Sequence, residues 1–287
     1  VEEATLLHLR KTCIDVRRDI VTEVHFGGSG HVGGCLSCVE ILVALYFEIM
    51  RLRPEQPDWP GRDRFVLSKG HAAPTLYAVM AERGYFPVHE LKTFTQSGTR
   101  LQKHVDMHRI PGIDVSSGSL GQGLSISIGM ALADRIDRKD RWVYCVIGDG
   151  ESQEGQIWEA AMAAAQFKID RLILYLDHNR MQVDGFLKDI IEVEPVDEKW
   201  RSFNWHVQQI DGHSIEQILA ASAIARATPA KPHIVICDTV KGKGISYMEN
   251  KIEWHSHAIN DVDYARALAE LDAARAQVMI PGGAHAV

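Results

Sequence analysis

The chain has 287 residues, 46% of them hydrophobic and 24% charged, a composition that suits a globular protein with a substantial buried core. Its 31 Lys and Arg against 38 Asp and Glu leave a net charge of −7, which excludes a nucleic acid held by a general positive field; any phosphate must be held locally. The longest unbroken apolar run, 41–47, is far short of the roughly 20 residues that span a bilayer, so no membrane helix is expected.

The start Val1-Glu2-Glu3 is acidic and leads into no apolar signal core, so a cytoplasmic address is expected. Leu6, Leu9, Cys13, Val16, Ile20 and Val24 recur at helical spacing and predict a helix over 6–24, ended by Gly27-Gly28. Residues 28–33 spell GxGxxG, but a helix rather than a strand precedes them, so they are not read as a dinucleotide site. Cys35-Leu36-Ser37-Cys38 opens an apolar helix over 36–50 whose inner face would bury both sulfurs, and no second Cys/His pair stands at zinc-finger spacing; these cysteines are read as structural. The five cysteines, odd in number, mostly sit in apolar runs and are expected to be reduced. Further helices fit 73–83, 124–138, 156–167 and 214–227, and short apolar runs at 64–67, 142–147, 172–176, 206–210 and 233–237 read as strands buried on both faces. From about 260 an amphipathic helical stretch (Val262, Ala265, Leu268, Leu271) leads to a Gly-Gly tail. Strands alternating with helices predict a three-layer, doubly wound α/β fold on a mostly parallel sheet, in a single domain over 1–287 with a C-terminal helical extension.

Such sheets bind ligands at the carboxyl ends of their strands. The strand at 142–147 runs into Gly148-Asp149-Gly150-Glu151-Ser152-Gln153-Glu154-Gly155 and then a helix from about Gln156. Two glycines permit close backbone approach, a helix N-terminus offers N–H groups to an anion, and a carboxylate stands beside them. The next strand ends in Leu176-Asp177-His178-Asn179, which sets Asp149 and Asn179 at the tips of successive strands. Both are oxygen ligands of the kind Mg²⁺ or Ca²⁺ prefers, and Mg²⁺ commonly completes its shell with phosphate oxygens. His31, His71, His104 and His255 lie in glycine-rich or loop-like segments where an imidazole can face a cleft and move protons near neutral pH.

The Gly148-Asp149-Gly150 turn followed by Asn179 resembles the thiamine diphosphate motif of the transketolase group. Ser29-Gly30-His31-Val32-Gly33-Gly34, Ser68-Lys69-Gly70-His71-Ala72, Gly118-Ser119-Leu120-Gly121-Gln122-Gly123, Thr239-Val240-Lys241-Gly242-Lys243-Gly244 and Trp254-His255 are similar to transketolase signatures, in the family's order, and span about 6–260. The resemblance implies a thiamine diphosphate-binding fold, the cofactors thiamine diphosphate and Mg²⁺ (or Ca²⁺), and transfer of a two-carbon ketol unit from a ketose or its phosphate to an aldose. It implies Asp149, Asn179 and Met181 as metal ligands, with Gly150 and Asn179 at the cofactor. His71 and His255 would touch the diphosphate, Gly118 would offer a carbonyl to the aminopyrimidine, and Leu120 would pack on the thiazolium ring. His31, His104 and His255 would act on the sugar, and Glu154 would join a carboxylate proton network shared with a partner.

Several positions depart from the family pattern: Val32 and Arg180 replace the usual proline and glycine, Lys103 and Val105 stand where glycine and proline are common, and Ser256 and Ile259 follow Trp254-His255 in place of glycine and proline. The changes beside His31, His104 and His255 border residues that would touch sugar, so they bear on the donor rather than on the cofactor. The matched motifs belong to the diphosphate-binding half of a transketolase; the pyrimidine-binding half, whose glutamate activates the cofactor, is not in the sequence. The resemblance therefore implies the N-terminal subunit of a split enzyme, inactive alone and assembled as α2β2 with a pyrimidine-domain subunit. An alpha subunit of a 2-oxo acid dehydrogenase shares the GDG and Asn, but the four histidines with Trp254 suit a polyhydroxylated sugar better. A non-catalytic protein that retains the fold is the third reading, and intact Asp149, Glu154 and Asn179 speak against it.

Overall fold

The computed structural model describes residues 2–278. Five strands, β1 (Arg64–Leu67), β2 (Val143–Gly148), β3 (Leu172–His178), β4 (His206–Asp211) and β5 (His233–Asp238), form one parallel sheet in the order β1-β2-β3-β5-β4. The helices are α1 (Glu3–Gly27), α2 (Val32–Leu36), α3 (Val39–Ala44), α4 (Ala73–Glu82), α5 (Gln122–Ile136), α6 (Gly155–Gln166), α7 (Leu187–Ile190), α8 (Val196–Ser202), α9 (Ile215–Ala227) and α10 (Asp261–Val278).

Alternation along the strands divides the core into two layers. Tyr144, Val146, Ile173, Tyr175, Val235 and Cys237 pack with α1, α3, α4 and α9, whereas Val143, Cys145, Ile147, Leu172, Leu174, Leu176, Ile234 and Ile236 pack with α5 and α6 beneath Trp200 and Trp205. β2, β3 and β5 are buried almost throughout, which is why their sequences are unbroken apolar runs. The edge strand β4 departs from that expectation: His206, Gln208 and Ile210 on one face are half-buried, whereas the other face is buried only at Val207 and exposed at Gln209 and Asp211, so this edge strand is covered incompletely.

Two helical expectations are corrected. The single helix over 36–50 is broken: α2 stops at Leu36, α3 starts at Val39, and a π-helical turn follows at Leu45–Ile49. The break lies inside the Cys-x-x-Cys segment and lets Ser37 Oγ donate to Asp177 Oδ2 at 2.6 Å. All five cysteines are free and buried, and burial pushes the Cys38 thiol up to about 11, so no thiolate is poised there. In α10 the inward stripe is rotated relative to the sequence reading. Ala267 and Leu271 are buried with Tyr264, Leu268 and Ala274 beside them, while Val262 and Ala265 face outward. Tyr264 stacks on His25 of α1 at 4.2 Å between ring centroids, and the ion pairs Arg18–Asp272 and Arg275–Asp15 flank that contact. The Gly-Gly tail lies outside the described residues. Among the described residues no helix is long and apolar enough to cross a membrane.

Candidate active site

The site grows from the carboxyl ends of β1, β2, β3 and β5. Gly148 and Asp177 are register partners at the ends of β2 and β3, so Asp149 and Asn179 leave the sheet side by side. Asp149 is buried; its Oδ1 accepts from Gly150 N at 2.7 Å and its Oδ2 from Arg180 N. Asn179 donates through Nδ2 to Asp177 Oδ2 at 3.3 Å and accepts at Oδ1 from Met181 N at 3.1 Å. The chain after Gly150 first makes a 3₁₀ turn, Gly150–Gln153, and α6 then starts at Gly155, within one residue of the start near Gln156 read from the sequence. Asp149 itself caps that turn.

Behind the strand tips, Asp177 gathers four donors: Lys69 Nζ, Ser37 Oγ, Thr239 Oγ1 and Asn179 Nδ2. Burial alone would raise this carboxyl, but the Lys69 ammonium and the neutral donors outweigh it and hold it below the usual carboxylate range. Lys69 also donates to Gly34 O at 2.8 Å. One fully buried ion pair thus fixes the loop after β1 to the tip of β3 and orients the Asn179 amide.

Lys241, on the loop after β5, donates to Gln182 O at 3.2 Å and reaches His255 Nδ1 at 2.6 Å, with Met181 O at 3.5 Å. Burial, and then the charge of Lys69, lower this ammonium to about 8. Since His255 Nδ1 accepts from Lys241, His255 carries its proton on Nε2, where it is a donor. Glycine is required in this corner by space: a Cβ on Gly33 would lie 2.8 Å from Trp254 O, and one on Gly242, whose φ is 81°, would lie 2.3 Å from Met248 O.

The four histidines from distant segments meet here. Their ring centroids lie 5.1 Å apart for His31 and His71, 6.1 Å for His31 and His104, 5.5 Å for His31 and His255, and 5.9 Å for His71 and His255, so His31 stands at the centre. All four are pushed toward the neutral form. Burial, followed by Lys103, lowers His31 to about 4; burial, followed by Lys241, lowers His255 to about 3; His71 and His104 shift the same way for the same leading reason. The buried Nδ1 of His31 has no partner among the described residues.

The other expected residues are at the rim. A Cβ on Gly118 would come within 3.2 Å of the His104 ring, so that loop borders the cluster, and Leu120 is half-buried on the same loop. Gly150 lies under Gln182, 3.2 Å from where its Cβ would be. Glu154 is the exposed N-cap of α6 rather than a residue of its first turn, makes no capping hydrogen bond, and packs against Gly121. Lys69, Lys241, Asp177 and Glu151 were not singled out by sequence reasoning. All four stand inside the motif segments, and for the two lysines the readable signal was a lysine between an apolar strand end and a glycine, where burial demands a counter-charge.

These residues fit a diphosphate bridged by a hard divalent cation. A carboxylate, an amide oxygen and a backbone carbonyl, from Asp149, Asn179 and Met181, form an all-oxygen donor set of the type Mg²⁺ and Ca²⁺ take. Burial, and then the neighbouring Asp177, push the Asp149 carboxyl up to about 7. Lys241 supplies a positive charge close by, and the neutral imidazoles supply donors.

The chain matches the family described as transketolase, thiamine diphosphate binding domain, over residues 9–282. It is 48% identical over 257 residues to a 6-deoxy-6-sulfo-D-fructose transketolase subunit of a Clostridium species, covering 90% of this chain and 94% of that one. It is 40% identical over 255 residues to an apulose-4-phosphate transketolase subunit of Phocaeicola vulgatus, covering 89% and 90%. The transketolase structure from Leishmania mexicana superposes with a TM-score of 0.87 at 29% identity, covering 92% of this chain but 41% of that protein. The chain therefore matches subunit-sized relatives almost end to end and spans about two fifths of that solved transketolase. It belongs to the family of transketolase thiamine diphosphate-binding domains.

Proposed function

We propose that the chain is the N-terminal, diphosphate-binding subunit of a two-subunit transketolase, in which a pyrimidine-domain subunit completes an α2β2 enzyme of the cytoplasm. The observation that carries this reading is the cluster of four imidazoles, His31 with His71, His104 and His255 around it, all pushed toward the neutral form, at the strand ends that carry Asp149 and Asn179. The subunit names of the relatives, and their length match to this chain, support the split arrangement. Thiamine diphosphate, when bound, supplies a carbon nucleophile that takes up the two-carbon unit and later releases it. Asp149, Asn179 and the Met181 carbonyl hold Mg²⁺ or Ca²⁺. Gly150, Asn179, His71 and His255 hold the diphosphate, and Gly118 and Leu120 border the rings.

The protein's own part in the reaction is to bind, orient and move protons. A polyhydroxylated substrate presents oxygens that alternately gain and lose protons as its carbon–carbon bond breaks and re-forms. A neutral imidazole can stabilise such an oxygen by donating a hydrogen bond from its N–H, and can accept a hydroxyl proton at its other nitrogen, becoming an imidazolium that returns the proton later. His255 offers an N–H from Nε2, set by Lys241, and His31 and His104 face the same space from other loops. Glu154, exposed at the head of α6, is available to a partner's carboxylates rather than to the sugar.

The test is reconstitution of the chain with a pyrimidine-domain subunit, thiamine diphosphate and Mg²⁺, offered xylulose 5-phosphate or hydroxypyruvate with an aldose acceptor. Ketol transfer that needs both subunits and stops on chelation of the metal is expected. Multiple turnovers by the chain alone would overturn the split-enzyme reading, and turnover of pyruvate but not of a ketose would favour the 2-oxo acid reading.

A further inference from the structure

Glu151 is absorbed by none of these roles, yet its carboxylate is buried at the junction of three segments of the site. Oε1 accepts from Gly121 N at 2.8 Å and from Ser68 Oγ, and Oε2 accepts from Gly148 N at 3.1 Å. Ser68 Oγ in turn accepts from Gly123 N at 3.1 Å. The first segment is the end of β1, which continues into Lys69 and His71. The second is the loop before α5, which carries Gly118 and Leu120. The third is the tip of β2, which carries Asp149 and Gly150. No cation bonds this carboxylate among the described residues; its donors are two backbone amides and a hydroxyl.

Such a hub differs from an ordinary core contact. A carboxylate is an acceptor only, with lone pairs enough for several donors, so one group can hold three backbones at once. The backbones are also in close contact at this junction: a Cβ on Gly123 would lie 2.4 Å from Ser68 Oγ, so the first turn of α5 is already pressed against the end of β1.

We infer that Glu151 is a positioning residue that sets the mutual placement of the three loops forming the cofactor cradle, and so determines affinity for thiamine diphosphate rather than the chemical step. The inference rests on the cofactor reading above. Glu151→Gln has the same shape but presents an NH₂ where Oε2 accepted, so it can keep the Gly121 and Ser68 bonds while setting a donor against Gly148 N–H. Glu151→Ala loses all three bonds.

The experiment measures thiamine diphosphate binding with Mg²⁺ by calorimetry on the complex with the pyrimidine-domain subunit, together with hydrogen exchange at the Gly121 and Gly148 amides and the dependence of ketol transfer on cofactor concentration. Expected is a dissociation constant about tenfold weaker in Glu151→Gln, the order of one charge-assisted hydrogen bond, and weaker still in Glu151→Ala. Faster exchange at Gly148 N in both variants, with kcat at saturating cofactor within a few-fold of wild type, completes the expected pattern. If the variants lose thermal stability yet bind the cofactor as wild type does, Glu151 is merely structural and the inference fails. A fall in kcat at saturating cofactor with unchanged affinity would also overturn it, by placing Glu151 in the chemistry. Should Glu151→Ala fail to fold, Glu151→Gln alone decides. A wild-type complex that binds no thiamine diphosphate would refute the cofactor reading itself, a result distinct from either failure.

Discussion

Replacing Glu23 with methionine is expected to stabilise the fold, although it removes a carboxyl from the C-terminal part of α1. Glu23 is fully buried among Ile20, Val21 and Val24, and neither carboxyl oxygen has a hydrogen-bond partner among the described residues. Burial, and then the charge of Asp19 one turn earlier, push the Glu23 carboxyl well above its usual range. Asp19 is itself raised to about 8, first by burial and then by Glu82. An unpaired buried polar group costs about 1–3 kcal/mol, and an unbranched apolar side chain of similar length removes that cost without opening a cavity. The gain for Glu23→Met near neutral pH is thus about 2 kcal/mol, or roughly 4–8 °C in the unfolding midpoint of a domain of this size. The sign of the pH dependence follows from linkage. A carboxyl whose folded pKa is raised favours the fold while protonated and opposes it as pH rises from the unfolded value near 4 through the folded one. The advantage of Glu23→Met should therefore be small at pH 5 and larger at pH 8, measured by thermal or urea unfolding of the two proteins side by side. A variant less stable than wild type at pH 8, or a gain independent of pH, would refute the claim that Glu23 is an uncompensated buried acid.

The opposite result is expected at Lys69, where Lys69→Met strips the cation from Asp177 and Gly34 and should cost about 3–5 kcal/mol; a loss below about 1 kcal/mol in urea unfolding would show that Ser37, Thr239 and Asn179 suffice. The Asp177 contribution is present above the usual carboxylate pKa and lost as pH falls through its lowered folded value, so this cost should shrink in strong acid. In the chain without cofactor, NMR titration should find His31 and His255 neutral down to about pH 5. Their lowered folded values, about 4 and about 3, mean that the stability tied to their neutral forms falls as pH drops below the ordinary histidine value; a midpoint near 6.5 at either ring would contradict their burial.

Periodicity and strand runs were legible because they are local. The helix over 6–24, the five apolar strands and the alternation that demands two covering layers all follow from spacing within short windows. Where the expectations slipped, a distant partner had intervened. The helix over 36–50 breaks where Ser37 bonds Asp177 on β3, and β4 is not a fully buried run because at the sheet edge one of its faces is covered only at Val207. The stripe on α10 runs through Ala267 and Leu271, with Tyr264 beside them stacked on His25 of α1. None of these partners lies within the window that periodicity reads.

Residue order was enough for the fold class, the Gly148-Asp149-Gly150 turn with Asn179, and four histidines set in loops, since glycine turns, strand ends and residue types are written locally. Folding in three dimensions was needed to set His31 at the centre of the four, to let Lys241 fix the proton of His255 on Nε2, and to make Asp177 and Glu151 bind the loops together. In the Lys69–Asp177 pair the two partners stand 108 positions apart. Such relations arise because a parallel sheet brings the ends of all its strands to one edge, where buried charges must find partners whatever their distance along the chain.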